Sequence, residues 1–170
     1  MTALQLAYAR HTDLEVLVPS TYGGEIAAAN TAQGSRRPDR WTRESFVGAL
    51  EDPADKSFLA RILDRLDHHH QSPDHRDPLW YGARPGGGLF FHLFGLKYPP
   101  FQLAINSAGR LTIKGTWQGF REIAGHPGFA ELAAMLGQDE NGPTRFVPVA
   151  DLDPETLWNV AETTARLINS

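Results

Sequence analysis

A histidine-rich stretch in the first half of the chain carries side-chain types that bind divalent metal ions. Imidazole nitrogens and carboxylate oxygens both occur there, at His68, His70, Asp74 and His75, and zinc accepts either kind of ligand. Neighbouring histidines at the end of a helix project in different directions, however, and the following loop brings no second rigid element to complete a tetrahedral site. We therefore predict no metal site and no cofactor, and these four residues are the candidate ligands if a metal does bind.

A second arrangement with catalytic potential is the carboxylate pair Asp13 and Glu15. Residues two apart on a strand share one face, which is how metal-dependent nucleases present paired carboxylates. Charges at the end of a strand on a solvated face explain the pair equally well. The sequence contains neither a Gly-x-Ser-x-Gly nucleophile elbow nor a His-Glu-x-x-His helix, and it has no cysteine. We therefore predict no catalytic residue, and a metal-dependent enzyme fragment is kept as an alternative function.

The middle of the chain differs in charge from both ends. Residues 78–121 carry five basic side chains and no Asp or Glu, whereas residues 1–77 and 122–170 each carry a net negative charge. The same middle segment is rich in aromatic residues, and exposed aromatic rings stack nucleobases while a positive surface attracts phosphates through counterion release. The candidate nucleic-acid-binding residues are the basic residues of this segment and of the arginine-rich stretch before it: Arg36, Arg37, Arg40, Arg43, Arg84, Lys97, Arg110, Lys114 and Arg121.

These features favour a non-catalytic binding or accessory module whose partner is nucleic acid or another protein. The aromatic residues also suit the packing of a core and of sheet faces, and arginine stems commonly cover apolar surface. The acidic carboxy-terminal segment could neutralise the basic strands internally. A protein-interaction or regulatory subunit without a charge-driven site is therefore a further alternative.

Hydrophobic alternation with a period of two dominates the region that must position these residues. Strands are predicted at 79–83, 89–95, 101–106 and 111–116. Alternation places Leu103 and Ile113 on one face of the sheet and Gln102 and Lys114 on the other. Pro148 keeps the short extended run around it at an edge or outside the ladder. We therefore predict an antiparallel four-stranded β-meander with one buried face and one polar face.

Capping signals predict the helices around this sheet. Thr42 precedes a short apolar stripe, and Trp41 is placed to pack back on that stripe as a hydrophobic staple. Two Asp-Pro pairs, which begin at Asp52 and Asp153, place a capping carboxylate before a proline at the first helical position. A further helix follows Pro127. The predicted fold class is accordingly α+β, with the helices packed on one face of the sheet.

Length and composition indicate one domain. At 170 residues, with 41% hydrophobic and 21% charged residues, the chain is large enough to bury a core without metals or disulfides. Within it, we predict a strand and helix region at 1–32, an exposed connector at 33–40, and the helices and meander at 41–170. The amino terminus lacks a signal-peptide pattern, and no window is apolar enough to cross a membrane. We expect a cytoplasmic protein without a membrane partner.

Three stretches of the sequence carry a resemblance to a known family. They are Trp41-Thr42-x-x-Ser45-Phe46, Trp80-Tyr81-Gly82, and Pro100-Phe101-Gln102-Leu103 continuing through Gly109 to Lys114. Together they resemble an uncharacterised bacterial domain that often follows restriction-endonuclease-like nuclease modules, over residues 25–170. The resemblance implies an accessory or recognition module, since the nuclease module of such chains supplies its own catalytic Asp and Glu-x-Lys. Here Val16 and Leu17 follow Glu15, so the expected lysine is missing, which puts cleavage activity in doubt.

Overall fold

The computed structural model describes part of the chain. It describes the strand backbones of residues 4–11 and 14–21 and the ranges 39–69, 78–84 and 86–170. The chain divides into two compact units, Met1–Arg37 and Pro38–Ser170, and each is described by itself. The division falls inside the connector predicted at 33–40, and the single domain predicted for residues 1–170 stays a prediction.

The first unit contains an antiparallel hairpin. Strand β1, Leu4–His11, pairs with β2, Leu14–Thr21. Of the predicted carboxylate pair, Glu15 lies on β2 opposite Arg10, and Asp13 lies outside the described residues. The short helix predicted near residues 25–32 also lies outside them.

The second unit is built around an antiparallel sheet. Its strands are β3 (Leu79–Tyr81), β4 (Leu89–Phe91), β5 (Phe101–Ile105), β6 (Leu111–Gly115) and β7 (Val147–Pro148), which are adjacent in that order. The predicted mixture of helices and an antiparallel meander is confirmed, but the predicted number of four strands is wrong. The fifth strand forms because Val147 pairs with Ile113 and Pro148 with Thr112 at the edge of the sheet. At an edge, the missing N–H of a proline removes no ladder bond.

The strands are shorter than the alternation predicts, and β4 shows why. The prediction extended this strand to Gly95, whereas β4 ends at Phe91 and a 3-10 turn follows at Leu93–Gly95. Phe94 has a φ of 58° in this turn, and a left-handed backbone cannot continue a strand. In the sequence, the apolar residues of this turn continue the alternation of β4, and the predicted strand is therefore too long.

The described part of the second unit contains four α-helices. They are α1 (Arg43–Ala49), α2 (Pro53–His69), α3 (Ala130–Met135) and α4 (Pro154–Ile168), with 3-10 turns at Arg121–Ile123 and Pro127–Phe129. The predicted start of α1 is confirmed, because the Thr42 hydroxyl accepts a hydrogen bond from the Ser45 N–H and the Ser45 hydroxyl accepts one from the Thr42 N–H. The predicted staple is present as well, since the rings of Trp41 and Phe46 lie 5.2 Å apart between centroids.

One face of the sheet shares a hydrophobic core with the helices. Leu103 and Ile113 are fully buried in the same cluster as Leu59 of α2 and Leu157 of α4. Helix α4 also packs against both α2 and α3. On the opposite face, Gln102, Ala104 and Thr112 are also buried, whereas Trp80 is about half exposed. Among the residues that the structure describes, no helix combines the length and the apolar character needed to cross a bilayer.

Candidate functional site

Four side chains on the face of the sheet opposite this core lie in one line across four strands. Trp80 pairs with Phe90, Phe90 pairs with Gln102, and Gln102 pairs with Lys114. Because neighbouring strands are about 4.8 Å apart, this line extends for about 14 Å across the sheet. We call these four residues the cross-strand row.

All four residues of the cross-strand row line one groove, which has a volume of about 660 Å³. The end of β6, the turns after β4 and β6 and the loop before β7 provide the other lining residues: His92, Gly115, Thr116, Gln118, Gly119, Phe120 and Thr144. None of the described residues that line the groove is acidic. The described lining of the groove therefore offers aromatic and polar groups beside one lysine, without a carboxylate that would repel an anion.

Trp80 gives the groove an accessible aromatic surface on β3. The residue is 49% exposed, and the centre of its ring lies 5.2 Å from that of Phe90, with the planes tilted by 60°. The guanidinium carbon of Arg40 lies 5.6 Å from the centre of the Trp80 ring. A planar group that stacks on Trp80 would therefore have a cation next to it.

Lys114 supplies the positive charge at the other end of the cross-strand row. Its ammonium nitrogen lies 4.7 Å from the centre of the Phe146 ring, and it has no ion-pair partner among the described residues. Burial lowers the pKa of Lys114 from its ordinary value, because the ammonium group has lost part of its hydration. A bound anion would stabilise this charge.

Three polar side chains of the groove differ in how much of their hydrogen-bonding capacity is already used. The Thr116 hydroxyl donates to the backbone carbonyl of Pro100. The Nδ1 of His92 donates to the carbonyl oxygen of Leu96 at 3.1 Å, which leaves Nε2 of the neutral imidazole as an acceptor. Gln102 is only 8% exposed, and its carboxamide has no hydrogen-bond partner within the described ranges.

Arg110, a predicted nucleic-acid contact, is engaged with the start of α2. Its Nε donates to the Asp55 carboxylate at 2.8 Å, and its NH2 group lies 3.3 Å from Asp52. Asp55 is almost completely buried. This arginine therefore neutralises a carboxylate of its own chain.

Two further predicted cations also form ion pairs. Arg43 donates two hydrogen bonds to the carboxylate of Asp67, at 2.9 and 2.7 Å. Lys97 lies 4.0 Å from a carboxylate oxygen of Glu122 and above the ring of Tyr98. Both pairs are exposed, so they reduce the net charge of the surface without removing the cations from solvent.

The remaining predicted basic residues are exposed or outside the described ranges. Arg84 stacks over the ring of Trp41, with its guanidinium carbon 4.6 Å from the ring centre. Arg121 is exposed and directly follows Phe120, which lines the groove. Arg36 and Arg37 lie outside the described residues. The structure thus brings Lys114 to the groove, Arg40 to its Trp80 side and Arg121 next to Phe120.

The candidate metal ligands do not form a described cluster. His68 donates from Nδ1 to the carbonyl oxygen of Asp64 at 2.7 Å, one helical turn earlier on α2, as suits a polar residue in the last turns of a helix. His70, Asp74 and His75 lie outside the described residues. Within the part of the chain that the structure describes, no group of three or more His, Asp or Glu side chains is placed to hold a metal ion.

The sequence analysis did not assign Gln102 or His92 to a site. A usable signal existed for Gln102, because alternation places it on the same face as Lys114. That Gln102 stands directly opposite Lys114 depends on the pairing register, which alternation alone does not give. A similar signal existed for His92, because it lies two residues after Phe90 and alternation places both on the same face.

Comparison of the chain with protein-family models, with curated proteins and with solved structures found no match. The resemblance to a domain that accompanies nuclease modules therefore stays a prediction. The groove itself is therefore the basis for a proposed function.

Proposed function

We propose that this chain is a non-catalytic binding module that holds a single-stranded nucleic acid in the groove, on the face of its sheet opposite the core. The observation that carries the proposal is the cross-strand row, which joins the exposed ring of Trp80 to the ammonium of Lys114, for which the described residues provide no ion-pair partner. Single-stranded nucleic acids need both features, an aromatic surface for the bases and a cation for the backbone.

The aromatic contribution comes mainly from Trp80. Its exposed ring is large and its orientation is supported by Phe90, so a base that stacks on it meets a surface that is already ordered. Stacking of a base on an aromatic side chain contributes about 1–3 kcal/mol and tolerates any base. Phe120 offers a second aromatic edge to the same groove.

The electrostatic contribution is smaller than the charge of residues 78–121 suggests. Arg43, Lys97 and Arg110 are paired with carboxylates, which leaves Arg40 and Lys114 as the cations closest to the cross-strand row. Each phosphate that a cation neutralises on a single strand contributes about −0.7 to the slope of log affinity against log salt. Two such contacts give a slope of about −1.4, which is modest and measurable.

The exposed ring of Trp80 favours single strands. A duplex hides its base faces in the stack, so it could use the cations but not the ring of Trp80. A single strand exposes those faces and can lie along a flat sheet. We therefore expect single-stranded DNA or RNA to bind more tightly than a duplex of the same sequence.

Fluorescence anisotropy with labelled oligonucleotides of about ten nucleotides tests the proposal. Titrations of single-stranded DNA, single-stranded RNA and duplex DNA are repeated between about 50 and 200 mM salt. The Trp80→Ala variant should lose about tenfold in affinity for single strands. The matched control is Leu167→Ala, which removes an apolar residue of similar exposure (47%) from α4, outside the groove lining, and should bind as the wild type does.

Two outcomes would overturn the proposal. One is the absence of oligonucleotide binding at the lowest salt concentration, which would leave a protein segment as the partner of the groove. The other is binding that Trp80→Ala and Leu167→Ala change equally, since that result would place the contact elsewhere on the molecule.

A further inference from the structure

The most unusual polar group of the groove is the carboxamide of Gln102. It lies in the middle of the cross-strand row, between Phe90 and Lys114, and only 8% of the residue is exposed. None of the described residues donates to its oxygen or accepts from its nitrogen. The described residues therefore leave the hydrogen-bonding capacity of this carboxamide unused.

Other buried polar groups on the same face of the sheet do not share this property. The Thr112 hydroxyl donates to the carbonyl oxygen of Ala104 at 2.9 Å, and the Thr116 hydroxyl donates to Pro100. The hydroxyl groups of these threonines therefore have hydrogen-bond partners in the neighbouring backbone. The Gln102 side chain lines the groove and has no such partner among the described residues. A polar group held in this way is available to a ligand.

We infer that Gln102 recognises the edge of one nucleobase that enters the groove, and that Lys114 contacts the phosphate attached to that nucleotide. The inference rests on the proposed function, because it assigns a role within the same groove. A carboxamide presents one donor and one acceptor side by side, so it pairs in two-point fashion with a base edge that carries the opposite pattern. The directly opposed strand position of Lys114 suits a phosphate next to that base.

His92 narrows the class of base. Its Nδ1 is committed to Leu96, so Nε2 of the neutral ring is an acceptor, and the residue lines the same groove. The oxygen of Gln102 is a second acceptor. An exocyclic amino group has two hydrogens and can satisfy both acceptors, while the neighbouring ring nitrogen accepts from the Gln102 amide. Adenine and cytosine have this pattern, and thymine and uracil lack the amino group.

The first arm of the test measures base preference in single strands. Anisotropy with oligo(dA) and oligo(dT) of equal length should show about tenfold tighter binding of oligo(dA), because oligo(dT) leaves buried acceptors unpaired. In the Gln102→Met variant the preference should disappear, while the dependence on salt is retained. The matched control is Asn159→Met, which changes an exposed carboxamide of α4 outside the groove lining and should keep the preference.

The second arm uses a probe without phosphate. Adenosine and purine riboside, which lacks the amino group, are titrated into isotopically labelled protein while the side-chain NH₂ resonances of Gln102 are followed by NMR. Adenosine should shift these resonances at lower concentrations than purine riboside does, and the side-chain resonances of Asn159, which lies outside the groove lining, should report little change.

The outcomes separate this inference from the proposed function. If oligonucleotides bind but Gln102→Met retains the preference of the wild type, or if no preference exists, the base-recognition role is wrong and the binding function stands. If oligonucleotides fail to bind while adenosine shifts Gln102, the groove takes a nucleoside and the strand-binding function is wrong. Failure of both probes overturns both proposals.

Discussion

The carboxylate of Asp55 on α2 accepts hydrogen bonds from the Arg110 side chain at 2.8 Å and from the Leu111 N–H at 2.9 Å. This contact joins the first turn of a helix to the turn between β5 and β6, across 55 residues of sequence. Because of this contact, Arg110, the most central arginine of residues 78–121, is not available to bind a phosphate. The contact also makes Asp55 the buried charge on which stability should depend most.

The first prediction concerns the stability that this contact provides. Asp55→Asn should lower the free energy of unfolding at neutral pH by about 2–3 kcal/mol, because it removes the partner of Arg110 and weakens the bond to Leu111. Chemical denaturation followed by circular dichroism measures the change. Asp67→Asn, which breaks the exposed pair with Arg43, is the control and should cost less than about 1 kcal/mol.

The same carboxylate should affect how stability depends on pH. Burial by itself raises the pKa of Asp55, but the hydrogen bonds from Arg110 and Leu111 together with the charge of Arg110 hold this pKa below its ordinary value. The folded state therefore binds this proton less readily than the unfolded state does. The stabilisation is present above the unfolded pKa of about 4 and is lost as the pH falls through the folded value.

When denaturation is measured from neutral pH down to about pH 2, the free energy of unfolding should consequently fall less steeply with decreasing pH for Asp55→Asn than for the wild type. An equally steep decline in both proteins would contradict a lowered pKa of Asp55 in the folded state.

The second prediction concerns the cost of keeping Gln102 in the groove. Gln102→Met keeps a similar volume and removes a buried amide that has no described partner, so it should leave stability unchanged or raise it by about 1 kcal/mol. Thermal unfolding monitored by circular dichroism provides the measurement. A loss of more than about 2 kcal/mol would mean that the carboxamide makes stabilising interactions in the folded chain.

The third prediction concerns the charge of Lys114. Lys114→Met should reduce the slope of log affinity against log salt by about 0.7 for single-stranded oligonucleotides, since one phosphate contact is lost. Lys56→Met is the matched control, because Lys56 is exposed on α2 and outside the groove lining. If both variants change the slope equally, the binding responds to net charge and not to this site.

The fourth prediction concerns the link between α4 and the segment that follows the 93–95 turn. The Asn169 side chain accepts from the N–H of Tyr98 at 2.8 Å and donates to its carbonyl oxygen at 3.1 Å. Asn169→Ala leaves both backbone groups of Tyr98 without this partner, and it should lower the free energy of unfolding by about 1–3 kcal/mol.

Asn159→Ala is the comparison for this fourth variant, because it removes an exposed asparagine from the same helix. Urea denaturation of the two variants should show a clear loss only for Asn169→Ala. Equal stabilities would indicate that water replaces the Asn169 contacts without cost.

Local sequence determined much of the second unit. The helix starts at Thr42 and at the two Asp-Pro pairs follow from capping chemistry that needs only a few consecutive residues. Alternation in β5 and β6 likewise placed Leu103 and Ile113 in the core and Gln102 and Lys114 on the other face. These features were predictable because a helix cap and a strand face are set by neighbours along the chain.

Tertiary structure decided the features that carry the functional argument. Register aligned Trp80, Phe90, Gln102 and Lys114 across four strands, and the edge pairing of Val147 added a fifth strand. The contact with Asp55 withdrew Arg110 from the basic surface. Each of these depends on residues far apart in sequence, and the energy of a charge or an amide is fixed by the groups that surround it in the folded chain. The sequence by itself determined which residue types were present on each face, and only folding decided which of them became neighbours.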